Sequence, residues 1–114
     1  MNGFTVELKS SKNISNYNSI TIELISNKEK NKKGWFITSQ AEIFCFFDLE
    51  NKIIYGCKSE DLRKWYRENI DDIKTLEYKS REYKTAKEKI SLLAFIPLDR
   101  MEREIKSFRK WSVK

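Results

Sequence analysis

Phe4, Val6 and Leu8 alternate with Thr5, Glu7 and Lys9. This two-residue period predicts a strand with Leu8 turned into the core. Residues 10–18, rich in Ser and Asn, read as a turn. Ile20, Ile22 and Leu24 then alternate with Thr21, Glu23 and Ile25 in a second strand, and residues 27–34 read as a lysine-rich loop. Thr38 or Ser39 is the expected N-cap of a short helical start. The run Ile43-Phe44-Cys45-Phe46-Phe47 is apolar at every position, as in a central strand covered on both faces. Residues 48–51 turn the chain into a hairpin partner at 52–57.

Ser59, Glu60 and Asp61 place a cap and two acids where a helix begins. Leu62, Trp65, Tyr66 and Ile70 follow at i, i+3, i+4 and i+8, one apolar face of a helix ending near Asn69. Residues 75–79 and 91–96 read as two strands around a basic loop, the second stopped by Pro97. Asp99 and Glu102 suggest a variant capping box. Met101, Ile105, Phe108 and Trp111 stripe a last helix, with Arg103, Lys106 and Lys110 on its opposite face. Strands interleaved with helices predict an α/β fold, with a mixed central sheet flanked by helices. With 114 residues and no repeat or linker, one domain covering 1–114 is expected.

Composition narrows the chemistry. The chain has no histidine, which removes Ser-His-Asp and Cys-His machinery and His-ligated zinc. Cys45 and Cys57 are too few for a four-cysteine zinc site or a disulfide framework, and read as small buried hydrophobes of a reducing cytoplasm. No apolar run approaches the roughly 18 residues of a membrane span, and the first residues lack a signal-peptide pattern. Carboxylate, lysine and tyrosine chemistry remains, with Mg²⁺ as the fitting metal if the chain is an enzyme.

The net charge is +6, unevenly placed. Residues 1–57 carry seven basic and six acidic side chains; residues 58–114 carry sixteen and eleven. The basic positions gather in three groups: residues 28–33, with Lys28, Lys30, Lys32 and Lys33 as candidate contacts; residues 79–89, with Lys79, Arg81 and Lys84; and residues 100–114, with Arg103, Lys106 and Lys110. Such groups neutralise phosphates and steer polyanions, although solvated lysines alone give the same pattern. Tyr78 and Tyr83 flank the middle group and are candidates for stacking on bases. Trp111, on the expected last helix, reads as core.

Glu7-Leu8-Lys9 is the one local pattern with a mechanism attached. On a strand the two charged side chains share a face, about 6.6 Å apart along the backbone. A carboxylate there can hold Mg²⁺ while the ammonium orients a water or stabilises developing charge.

With this pattern as its start, the chain resembles small phage-type members of the PD-(D/E)XK, or restriction-endonuclease-like, superfamily. The resemblance runs from Val6 to Met101. It comprises Val6-Glu7-Leu8-Lys9-Ser10, the strand Ile20-Thr21-Ile22-Glu23, Gly34-Trp35 with Thr38-Ser39-Gln40-Ala41-Glu42, the apolar hairpin, Asp61-Leu62-Arg63-Lys64-Trp65 and Phe95-Ile96-Pro97-Leu98. It implies a restriction-endonuclease-like fold, with Glu7 and Lys9 as catalytic remnants. Members of the family complete the metal site with an acid on a preceding strand. Here none of the six residues before Glu7 is acidic, so the resemblance implies an N-terminally shortened relative with an incomplete metal site and no cofactor. Glu23, on a strand that could neighbour that of Glu7, is the nearest substitute acid.

Three functions fit. The first is a non-catalytic nuclease-fold protein of phage or mobile-element origin. It would act by binding, as an anti-CRISPR-like inhibitor of a host nucleic-acid-targeting defence enzyme. The alternatives are a Mg²⁺-dependent nuclease of the same superfamily and a nucleic-acid-binding accessory protein. The expected partner is nucleic acid or a nucleic-acid-bound protein complex, not a membrane, and a homodimer is an open alternative.

Overall fold

The strand Ile43–Asp48 (β4) is hydrogen-bonded on both sides, in parallel to Val6–Ser11 (β1) and antiparallel to Ile53–Lys58 (β5). Its side chains alternate between buried Phe44, Phe46 and Asp48 and half-buried Ile43, Cys45 and Phe47. Arg109–Ser112 (β8) completes a mixed sheet of order β1-β4-β5-β8. The computed structural model describes residues 4–12, 14–81 and 87–113.

The other strands form a second sheet rather than extending the first. Ser19–Asn27 (β2), Lys32–Lys33 (β3), Lys74–Arg81 (β6) and Glu88–Pro97 (β7) pair antiparallel in the order β3-β2-β7-β6. The expected single central sheet is therefore replaced by one mixed and one antiparallel sheet. The stretch after β1 is not a plain turn: Ile14–Tyr17 (α1) is one helical turn that buries Ile14. Asn18, at φ 53°, then reverses the chain, a conformation that asparagine tolerates. This element carries β2 away from β1, so Glu23 does not lie on a strand neighbouring that of Glu7.

One hydrophobic cluster joins both sheets to the helices. Ile20 and Ile22 of β2 meet Ile96 and Ala94 across the β2–β7 ladder. Ser59–Glu68 (α3) packs Leu62, Trp65 and Tyr66 into the core. Ile70, expected on the same face, lies in a 3-10 turn at Ile70–Asp72 and is exposed. Ser59 starts α3 as expected, but its hydroxyl donates to the carbonyls of Ala41 and Glu42, at 2.7 and 3.1 Å, rather than capping the helix.

Two helices differ from the sequence reading. Trp35–Thr38 (α2) begins after Gly34, so Thr38 and Ser39 close this turn rather than open it. Leu98–Glu104 (α4) stops where a longer helix was expected. Three residues of the expected stripe are nonetheless buried: Met101 and Ile105 enter the core, and Phe108 stacks on Tyr55 with centroids 6.1 Å apart. The chain then becomes β8, because the edge of β5 presents unpaired backbone groups whose ladder bonds outweigh helix propensity. The capping box is absent: Asp99 Oδ1 accepts from its neighbour Arg100 N–H at 2.9 Å and from Asn18 Nδ2 at 3.3 Å.

Asp48 is fully buried at the end of β4 and closes the β4–β5 turn. Its carboxylate accepts from the Ser15 N–H at 2.8 Å, the Asn51 N–H at 3.1 Å and Asn51 Nδ2 at 3.0 Å. Burial alone would raise its pKa, but these donors outweigh burial and hold the carboxyl well below the usual range. A depressed native pKa stabilises the fold above the unfolded value, about 3.9, and that contribution is lost as pH falls through the native pKa. Asp48→Asn should therefore be less stable than wild type at neutral pH, by about 1–3 kcal/mol for a donor left unpaired. The deficit should narrow below about pH 4. Urea melts at pH 7 and pH 3 check this; a deficit equal at both would reject the role of the charge.

Candidate nucleic-acid interface and the Glu7–Lys9 pair

The alternation of β1 places Glu7 and Lys9 on one face, as the spacing predicts, but the face is the opposite of the expected one. In the parallel register Glu7 stands beside Phe44 and Lys9 beside Phe46, so the charged pair borders the core-facing side of the sheet. Leu8, expected in the core, is 56% exposed. The reason is local. Lys9 Nζ lies 5.2 Å from the centroid of the Trp35 ring, and Trp35 packs edge-on against Phe44, 5.4 Å away. The lysine stem covers aromatic surface while its ammonium stays hydrated, a placement open to Lys but not to a second apolar residue on a sheet edge.

Glu7 Oε2 lies 3.4 Å from Lys9 Nζ, so the pair is bound to itself. Glu23 sits in the other sheet, with its backbone against Gly34, the residue before Trp35. Among the described residues no three carboxylates or thiols gather into a group able to hold a metal ion. Both cysteines are free thiols. Burial pushes Cys57 up to about 12, helped by nearby Asp61 and Cys45, which suits a packing residue and not a nucleophile.

The basic groups behave differently. Two of the three converge. The β2–β3 hairpin carries Lys28, Lys30, Lys32 and Lys33, and Asn31 turns it at φ 52°. The Lys28 N–H donates to the Ile90 carbonyl of β7 at 2.8 Å, which sets this tip beside the β6–β7 end carrying Lys79, Arg81, Lys87 and Lys89. A shallow hollow of about 470 Å³ lies between them, lined by Lys28, Glu29, Glu88, Lys89 and Ile90. Over residues 28–33, 77–81 and 87–90 there are eight basic side chains and three acidic ones. Lys28 pairs with Glu77, and Lys79 with Glu88 at 3.7 Å. Two carboxylates thus hold cations in place without cancelling the excess. Tyr78 is exposed on the adjoining β6 edge. Tyr83 and Lys84 lie outside the described residues.

The third group stays apart. Arg103 is on α4, Lys106 in the following turn and Lys110 on β8, 3.7 Å from Glu102. Leu98, the start of α4, hydrogen-bonds Asn18 at the far end of β2, roughly 30 Å from the lysine tip along a nine-residue strand.

A further surface escaped the sequence reading. Val6, Leu8, Phe47, Ile54 and Trp111 fall on one side of the mixed sheet by register. Trp111, read as core, is 50% exposed there. A hollow of about 580 Å³ opens at its edge, with Gly56 beside Trp111. Two-residue alternation in β1 was the available signal, but alternation does not say which face is covered.

No family model, curated protein or solved structure matches the chain. No helix among the described residues is long and apolar enough to cross a membrane.

Proposed function

We propose that the protein acts by binding, with nucleic acid or a nucleic-acid-bound protein complex as its target, and that the β2–β3 tip together with the adjoining ends of β6 and β7 is the contact surface. The convergence of two basic groups, distant in sequence, on one end of one sheet carries this reading. An excess of ammonium and guanidinium groups over carboxylates on hairpin tips suits phosphate contacts, which position a polyanion without reading its sequence. The half-exposed Tyr78 nearby adds a surface on which a base can stack. Within this reading, the role we favour is the non-catalytic inhibitor of a nucleic-acid-targeting defence enzyme. Its support is the resemblance to phage-type nucleases together with a Glu7 carboxylate that is paired with Lys9 instead of standing among other acids.

The test is a titration of labelled duplex DNA, single-stranded DNA and RNA at several salt concentrations. Replacing Lys30, Lys32 and Lys33 together by Ala should weaken binding about tenfold or more at low salt, with the loss shrinking as salt rises. The same variant should melt within about 0.5 kcal/mol of wild type, since the side chains are exposed. With Mg²⁺ or Mn²⁺ added, all three substrates should remain intact. Cleavage that disappears in Glu7→Ala would instead establish the metal-dependent nuclease. Unchanged affinity in the triple variant would move the contact surface elsewhere.

A further inference from the structure

Among the described residues, the outer face of the mixed sheet is an exposed apolar surface. Phe4, Val6, Leu8 and Trp111 are each half or more exposed. Behind them Ile43, Phe47 and Ile54 are only half-buried. On a sheet buried through its other face by Phe44, Phe46 and Tyr55, this is a second, unpaired hydrophobic layer. Single exposed apolar residues are ordinary; a contiguous sheet face of them marks an interaction surface.

Charge and dimensions select the occupant. Lys58 and Arg109 lie on this face, opposite Ile43 and Gly56 in the ladders, and Arg63 borders the adjoining hollow. Arg109 Nη1 donates to the carbonyls of Lys106 and Phe108 at 3.0 and 2.7 Å. Arg63 donates to those of Phe36 and Ser39 at 2.9 and 2.6 Å. Both guanidiniums are thus held in place by main-chain oxygens, which orient them without neutralising their charge. Glu42 and Glu60 stand on the same border, so the excess of cations is local to the Lys58–Arg109 side. Four strands at 4.8 Å spacing make a face about 19 Å wide and about 20 Å long, roughly 400 Å². A stable dimer needs about 800 Å² from each partner, and a second copy would bring cations to a face already carrying them. An α-helix about 10 Å wide fits this area over about 14 residues.

We infer that the outer face of the β1-β4-β5-β8 sheet docks an amphipathic helix of a partner protein whose apolar stripe is flanked by acidic side chains. The apolar stripe covers Val6, Leu8, Phe47 and Trp111, and the flanking carboxylates meet Lys58 and Arg109. This is the helix-in-groove mode of recognition, with the charges fixing register. The surface is separate from the lysine tips, so one chain can hold a protein partner and a polyanion together.

The probe is a fluorescent synthetic helix of about 16 residues, with leucines on one face and glutamates flanking them, compared with the same peptide carrying lysines. Anisotropy should show the glutamate peptide binding about tenfold more tightly than the lysine peptide. Leu8→Glu should weaken it by about tenfold, and Lys58→Glu with Arg109→Glu should invert the preference. The Lys30, Lys32 and Lys33 triple variant should bind the peptide as wild type does, which separates this surface from the polyanion surface. Leu8, Lys58, Arg109 and the three lysines are all exposed, so the variants should keep a cooperative melt. Equal binding of both peptides, or binding of neither, overturns the inference. A concentration-dependent dimer in sedimentation that Leu8→Glu dissolves also overturns it, in favour of a second copy.

Discussion

Phe44→Ala is expected to lose about 3–5 kcal/mol of stability, the range for deleting a fully buried phenyl ring. The ring has no exposed surface. It is walled by Trp35, edge-on at 5.4 Å, and by Phe36 at 5.9 Å, while the Arg63 guanidinium lies 5.1 Å from its centroid. These neighbours come from two elements, α2 and α3, so the cavity cannot be closed by moving one side chain. A domain of this size has about 5–15 kcal/mol in total, so the loss is a large share of its stability. Phe46→Ala, in the same strand and equally enclosed, should behave alike. Urea melts followed by tryptophan emission measure both. If either melts within error of wild type, β4 is not the centre of the core.

Gly34→Ala should be comparably damaging for a different reason. The backbone there is extended, at φ −81° and ψ 172°, so conformational freedom does not require glycine. Space does. A Cβ at Gly34 would stand 2.3 Å from the Glu23 carbonyl oxygen and 2.6 Å from its carbon. The Gly34 N–H also donates to the Leu24 carbonyl at 2.9 Å. Backbone cannot swing aside as a side chain can, so relief requires opening the junction of β2 and α2. The expected cost is about 3 kcal/mol or more, the upper end for overpacking. Gly56 is the control: a Cβ there meets the Cys45 Sγ and the Trp111 ring, both at 3.2 Å. Those are side chains, and Gly56→Ala should cost about 1 kcal/mol or less. Chemical melts of the two variants compare directly. A Gly34→Ala protein as stable as Gly56→Ala would show that the close approach to Glu23 relaxes at no cost.

Most strands and the long helix were legible locally. The apolar run at β4, the alternation in β1 and β2, the hairpin around the basic loop and the start of α3 each carry their own short-range signal. Such signals arise from side-chain periodicity and from capping preferences, which act within a few residues. Where the reading failed, a distant partner had intervened. Trp111 follows Phe108 at a helical spacing, yet the unpaired edge of β5 recruits residues 109–112 as a strand. Asp99 and Glu102 have the spacing of a cap, yet Asn18 and Lys110 supply their partners. Thr38 and Ser39 look like helix openers, yet Gly34 must sit against Glu23, and that contact fixes where α2 begins.

From the residues alone came the faces of β1, β2, β4 and α3, the positions of most strands though not β3 or β8, the places where the cations gather, and the chemistries that histidine's absence removes. All of these follow from covalent order and side-chain type. Long-range packing decided that Leu8 faces out while Glu7 and Lys9 lie on the side of Phe44 and Phe46, because a period of two defines two faces without ranking them. It also decided that β2 pairs with β7 rather than β1, and so brought residues 28–33 beside residues 77–81 and 87–90. Pairing between strands far apart in the chain rests on the complementarity of whole surfaces. No window of neighbouring residues contains that information.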